Sequence, residues 1–176
     1  MTSGKPYVLC VVPARFASTR FPGKIIVPLA GKPLVMHAYE RARRAKLVNE
    51  TLIAADDAAI ADAVAPYGAR LVMTRPDHPS GTDRIAEVAE GHPAEIIVNV
   101  QGDEALIDPA TVDAAVQALL DHPEAVMSTA RHRITDPELI ADPNAVKVVC
   151  DAAGRALYFS RSPIPHIRDA ADREAA

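Results

Sequence analysis

Tyr7-Val-Leu-Cys-Val-Val12, closed by Pro13, is the stretch that decides the fold. Six apolar residues in a row leave no wet face, so the run reads as a strand covered on both sides, the habit of a parallel sheet. Beyond it, helix and strand alternate. Pro33 suits a first helical turn, and Leu34, Val35, Ala38, Tyr39, Ala42 and Ala45 recur on one face up to Lys46. Residues 51–55 form a second short apolar run, and Asp56-Asp57 can cap a helix that carries Ile60, Val64 and Ala65 up to Pro66. Strand over 70–73, helix over 82–90, strand over 96–100, helix over 108–120 and strand over 125–130 continue the alternation. The order specifies an α/β fold: a doubly wound, mostly parallel sheet with right-handed crossovers. Beyond Val146 the pattern changes. Residues 146–150 and 156–159 flank Asp151-Ala-Ala-Gly154, which predicts an antiparallel hairpin within an extension over about 144–165.

A chain of 176 residues suits a single domain spanning 1–176 with one sizeable core. Its 49% apolar and 24% charged residues exclude a disordered chain, and its apolar runs are far shorter than the roughly 20 residues of a membrane helix. Between Lys5 and Pro13 the apolar run is too short for the core of a signal peptide, so a cytoplasmic location is expected. Cys10 and Cys150 each sit in an apolar run and are expected as free thiols.

Charge is segregated. The first 39 residues hold Lys5, Arg15, Arg20, Lys24 and Lys32 and no acid, which leaves −9 on the rest of a chain whose net charge is −4. The net charge argues against nucleic acid as a partner, while the basic start suggests an anion site, although on charge alone a solvated basic face explains it better.

Ligands of open α/β sheets bind beyond the C-terminal ends of strands, and three such segments carry chemistry. Pro13-Ala-Arg-Phe-Ala-Ser-Thr-Arg-Phe-Pro-Gly-Lys24 offers cations, hydroxyls and backbone N–H groups that can surround a polyphosphate. It matches neither GxGxxG nor GxxxxGK, so hydride transfer and P-loop chemistry lose their markers. In Asn99-Val-Gln-Gly-Asp-Glu104 an apolar strand runs into paired acids, either of which can hold Mg²⁺; paired acids also start helices for structural reasons. Met73-Thr-Arg-Pro-Asp-His-Pro-Ser-Gly-Thr-Asp-Arg84 could read a base, although capping by Ser80 or Thr82 explains it as well. His37 resembles no complete metal set and reads as a satisfied helix histidine. No Ser/His/Asp or Cys/His spacing stands out, and a phosphate loop with an acid at another strand end, on one sheet edge, favours metal-assisted chemistry on a nucleotide over a protein nucleophile.

Together with Asn144-Ala-Val-Lys-Val-Val149 and Tyr158-Phe-Ser-Arg-Ser-Pro-Ile-Pro165, these segments resemble the 3-deoxy-manno-octulosonate cytidylyltransferases, also called CMP-KDO synthetases. The likeness spans nearly the whole chain. It implies a Rossmann-like nucleotidyltransferase fold and transfer of CMP from CTP to the anomeric hydroxyl of KDO, with release of pyrophosphate, for lipopolysaccharide biosynthesis. It further implies that Arg15 and Lys24 hold the triphosphate with Ser18 assisting, and that Ala14, Met73, Thr74, Arg75 and Ser80 lie around the nucleotide. Gln101 would orient the sugar, Asp103 would bind Mg²⁺, and the protein would be a homodimer. Arg15, Lys24 and Asp103 are the expected catalytic set. Ala105 departs from the proline usual in the family after Gly-Asp-Glu. Members also continue well past the equivalent of Ala176, in a part that supplies a sugar-site segment and a late Asp ligand, so this chain is expected to keep the nucleotide-site residues with weak or no transferase activity. A cytidylyltransferase for 8-amino-KDO or sialic acid, and an inactive nucleotide-binding remnant, are the competing expectations.

Overall fold

In the computed structural model, which describes residues 4–17 and 21–166, the elements run β1 (Val8–Ala14), β2 (Pro28–Leu29), β3 (Lys32–Pro33), α1 (Leu34–Ala42), β4 (Glu50–Ala55), α2 (Ala58–Val64), β5 (Leu71–Met73), α3 (Gly81–Glu90), β6 (Ile96–Asn99), α4 (Pro109–Asp121), α5 (Pro137–Ala141), β7 (Lys147–Cys150) and β8 (Ala156–Ser160). The chain divides into two compact units, one up to Ser128 and one from Thr129.

The first unit holds a parallel sheet in the order β5-β4-β1-β6. β1 is fully buried along its length, as a strand with no polar alternate must be. Its Cys10, Val12 and Ala14 point with Ile53 and Ala55 of β4 into a cluster made with Val35, Met36, Ala38 and Tyr39 of α1, Ile60 of α2 and Val112 of α4. Its Leu9 and Val11 point the other way, with Leu52 and Ala54, onto Ile85 and Val88 of α3. Helices therefore cover both faces, and the doubly wound expectation holds. Burial pushes the Cys10 thiol up to about 12, and Cys150 is likewise a free thiol.

Helix starts use the expected side chains. Asp57, Ser80 and Asp108 each accept a hydrogen bond from a backbone N–H of the first turn of α2, α3 and α4. α1 stops at Ala42 rather than Lys46, and Pro33 lies in the short β2–β3 hairpin just before it.

Pro13 does not close the first strand; it lies inside β1, opposite Ala54. Val11 accepts its bond from Val100 N on the β6 side, and by strand alternation Pro13 faces that same side. The ladder to β6 ends at Val11–Asn99, so the missing N–H of Pro13 breaks no pair. β6, although apolar, is only partly buried because it forms the sheet's edge among the described residues.

The strand expected over 125–130 is absent. Apolar residues become a strand only where a neighbour completes the ladder, and none of the described residues pairs there; Val126 is 99% exposed.

The second unit is α5 with the expected antiparallel β7–β8 hairpin, in register Val148–Phe159 and Val149–Tyr158 with an irregularity at Val149/Cys150. Asp151 ties the turn by accepting from Ala153 N and Arg155 N, both at 2.9 Å. α5, capped by Asp136, was not foreseen. Lys147 is buried, and its ammonium donates to the carbonyls of Asp142, Ala145 and Arg161 at 2.6–2.8 Å.

Candidate functional site

The end of β1 and the segment after β6 lie side by side because the two strands pair in parallel. Between them opens a cleft of ≈ 310 Å³ lined by Pro13, Arg15, Ala17, Lys24, Ile25, Gln101, Gly102 and Asp103. Lys24 reaches it from a single 3₁₀ turn, Lys24–Ile26, whose buried Ile25 anchors the turn in the core. The loop is closed by Gly23 N donating to Phe16 O at 2.9 Å. It is fixed at its base by Phe16 N donating to Asp56 Oδ1 at 2.8 Å.

Lys24 Nζ stands 2.9 Å from Asp103 Oδ2, with both side chains about half exposed. Gln101 donates to Asn99 Oδ1 at 2.8 Å. Gly102 is required by close approach: a Cβ there would lie 2.7 Å from Ile25 Cδ1 and 2.9 Å from the carbonyl oxygen of Pro13. That contact holds Asp103 over the end of β1.

Arg15 leans across to the segment after β5, donating to His78 O at 3.1 Å with a marginal 3.5 Å contact to Pro79 O. This leaves further guanidinium N–H donors for an anion. A second, larger cleft of ≈ 520 Å³ lies along that segment and α3, lined by Arg75, His78, Pro79, Asp83, Ala86, Glu87 and Glu90.

Four expected site residues, Arg15, Lys24, Gln101 and Asp103, are thus brought to one cleft. Met73 is half exposed at the end of β5, and Arg75 is exposed in the neighbouring cleft. The others are placed less openly. Ala14 is fully buried, so only its backbone can face a ligand. The Thr74 hydroxyl donates to Ala55 O at 3.0 Å, and the Ser80 hydroxyl caps α3 at Asp83 N, 3.2 Å away. Ser18 lies outside the described residues. His37 is satisfied by Leu29 O at 2.7 Å, as expected of a helix histidine.

Sequence reasoning gave no role to His78, although the resemblance includes it, and none to Arg84. His78 is buried and bonded through Nε2 to Glu87 Oε2. That bond comes first among the causes that hold the Glu87 carboxyl below the usual glutamate range, ahead of the opposing effect of desolvation. Arg84 is fully buried and pairs with Asp56 at 3.0 Å. A signal for it exists: Arg84 shares a helical stripe with Ile85 and Val88.

Among the described residues no group of three or more His, Cys, Asp or Glu converges to hold a metal. Asp103 is a single, half-exposed carboxylate beside cations, a donor set that fits Mg²⁺ shared with phosphates and does not fit an all-protein cage.

Residues 9–173 match the family described as cytidylyltransferase. The chain is 57% identical, over 92% of its length, to the 3-deoxy-manno-octulosonate cytidylyltransferase of Solibacter usitatus (strain Ellin6076), and 55% identical to that of Geobacter sulfurreducens (strain ATCC 51573 / DSM 12127 / PCA). It spans 64% and 65% of the length of these relatives. A solved structure of CMP:2-keto-3-deoxy-manno-octonic acid synthetase complexed with CTP superposes with a TM-score of 0.84 at 42% identity, over 94% of this chain and 68% of that one.

Proposed function

The chain belongs to the cytidylyltransferase family, and from that premise we propose that it carries the nucleotide site of an enzyme that transfers CMP from CTP to 3-deoxy-manno-octulosonate, KDO, for lipopolysaccharide synthesis. The observation that carries the proposal is the convergence of Arg15, Lys24, Gln101 and Asp103 on one cleft beyond the ends of β1 and β6. In the reaction the anomeric hydroxyl oxygen of KDO bonds to the α-phosphorus, the bond from that phosphorus to its bridging oxygen breaks, pyrophosphate leaves and the hydroxyl proton is released.

Each residue has a role that its placement suits. Arg15 and Lys24 bind the triphosphate, with Ser18 assisting, and oppose the negative charge that builds on the equatorial and leaving oxygens. Residues 73–75 and 80 surround the cytidine, Thr74 and Ser80 through their backbone because their hydroxyls are already bonded. The backbone of Ala14 lines the approach. Gln101, exposed beside Asp103, orients the sugar. Asp103 is the ligand for Mg²⁺, which when bound supplies neutralisation of phosphate charge. Parting Lys24 from Asp103 costs little, because a half-exposed ion pair contributes roughly 0.2–1 kcal/mol. A charged hydrogen bond to phosphate, at about 1.5–3 kcal/mol, outweighs it.

A homodimer and a cytoplasmic location complete the proposal. Exposed Leu157, Tyr158 and Phe159 on β8 support the first. Free Cys10 and Cys150 support the second, and no helix among the described residues is long and apolar enough to cross a membrane.

The test is pyrophosphate release across CTP, UTP, ATP and GTP, with KDO, 8-amino-KDO and sialic acid, on the protein that carries this sequence. CTP with KDO should give the highest kcat/KM. Preference for another nucleotide or sugar would contradict the proposal.

A further inference from the structure

Segment 74–78 is not a free loop: α3 grips it with two side chains three residues apart, hence neighbours on one helix face. Arg84 donates through Nη1 to Thr74 Oγ1 and to Arg75 O, the latter at 3.2 Å. Glu87 Oε2 accepts from Arg75 N at 3.1 Å and is bonded to the His78 ring. Both backbone polar groups of Arg75 are therefore held by α3.

The same grip extends to the first loop. Arg84 Nη2 donates to Asp56 Oδ2 at 3.0 Å, and the other oxygen of that carboxylate accepts from Phe16 N at 2.8 Å. Arg15 closes the circuit by donating to His78 O at 3.1 Å. A planar guanidinium is suited to this: its fork spans three acceptors on two segments, which a lysine ammonium on a flexible stem does not reproduce. Arg84 and Asp56 are both nearly inaccessible, at 0% and 8% side-chain exposure, so neither is free to serve as a substrate ligand.

We propose that Arg84 and Glu87 are positioning residues that fix segment 74–78 at a set distance from the first loop, so that discrimination between CTP and UTP depends on them. This rests on the cytidine-binding role assigned above. The two nucleotides share a triphosphate and differ at the base edge, so an error in the position of 74–78 is felt in their ratio. Phosphate binding is shared by both and does not move that ratio.

The experiment is calorimetric titration of CTP and UTP with Mg²⁺ on the wild type, Glu87→Ala, Glu87→Gln, Arg84→Lys and Lys24→Ala, with thermal unfolding of each. The wild type should prefer CTP. Glu87→Ala and Arg84→Lys should reduce the CTP:UTP affinity ratio about tenfold. Glu87→Gln, which keeps an acceptor, should restore most of the ratio, and Lys24→Ala should weaken both nucleotides alike. A folded Glu87→Ala protein with the wild-type ratio overturns the inference. Should Arg84→Lys fail to fold, Glu87→Ala decides alone, since the Glu87 side chain is itself a third exposed. A wild type that shows no preference for CTP contradicts the cytidine-site assignment itself, before any variant is compared.

Discussion

Lys24 and Asp103 lie 79 residues apart in sequence and 2.9 Å apart in the fold, each half exposed. At that exposure the pair contributes little stability, so its value lies in what it holds ready. Lys24→Ala should weaken CTP binding roughly 10- to 100-fold, the worth of a charged hydrogen bond, with a melting temperature close to wild type. Titration and thermal unfolding check both. Gly102→Ala should lower stability as well as binding. Its Cβ would meet the Pro13 carbonyl at 2.9 Å, and a buried strand's backbone cannot give way. A loss of about 1–3 kcal/mol is expected in denaturant unfolding, together with weaker CTP binding as Asp103 shifts. Individual candidates were legible where chemistry is local: a basic loop after β1 and an acid after β6. Arg84 was legible only through its stripe with Ile85 and Val88, because a lone cation in an amphipathic helix otherwise reads as a solvated face; its partner Asp56 lies on another segment.

At the scale of elements, β1 organises the rest. Its alternating side chains feed two separate clusters, so one truncation strips a helix contact from one face only. Leu9→Ala removes a fully buried side chain from the α3 face and should cost about 2–5 kcal/mol in denaturant unfolding; a cost below ~1 kcal/mol would mean that α3 does not pack there. The α3 face also carries Arg84 and Glu87, so the same loss should loosen segment 74–78. Strand and helix identities were legible through periodicity, as in the unbroken apolar run of β1 and the caps at Asp57, Ser80 and Asp108. Residues 125–130 show where periodicity stops informing. Whether an apolar run forms a strand depends on a ladder partner elsewhere in the chain, which local pattern does not encode. Pro13 errs the other way: a strand breaker is tolerated where the neighbouring ladder has already ended.

The first unit, as a whole, separates function from stability across its sheet. The proposed ligand site gathers at the C-terminal strand ends, whereas at the opposite end Tyr7, His92 and Arg70 converge on Glu50, with Tyr7 and His92 at 3.1 and 3.2 Å. Desolvation raises the Glu50 carboxyl, but the bonds from His92 and Tyr7 and the charge of Arg70 outweigh it and leave it below the usual glutamate value. A depressed carboxylate contributes stability that is present above its unfolded pKa, about 4.3, and is lost as pH falls through the folded value. The melting-temperature gap between wild type and Glu50→Gln should therefore be full near pH 7, begin to shrink as pH falls to about 4.3 and close only below the depressed folded value. CTP affinity at pH 7 should be the same in both. The role proposed for the first loop, by contrast, derives from the parallel pairing of β1 with β6, which sets Lys24 and Asp103 over one cleft. The most direct measurement is CTP titration with and without Mg²⁺ on the wild type and Asp103→Asn. The predicted result is that Mg²⁺ tightens CTP binding to the wild type and that this gain disappears in Asp103→Asn. An undiminished Mg²⁺ gain in Asp103→Asn would contradict a shared magnesium–triphosphate site.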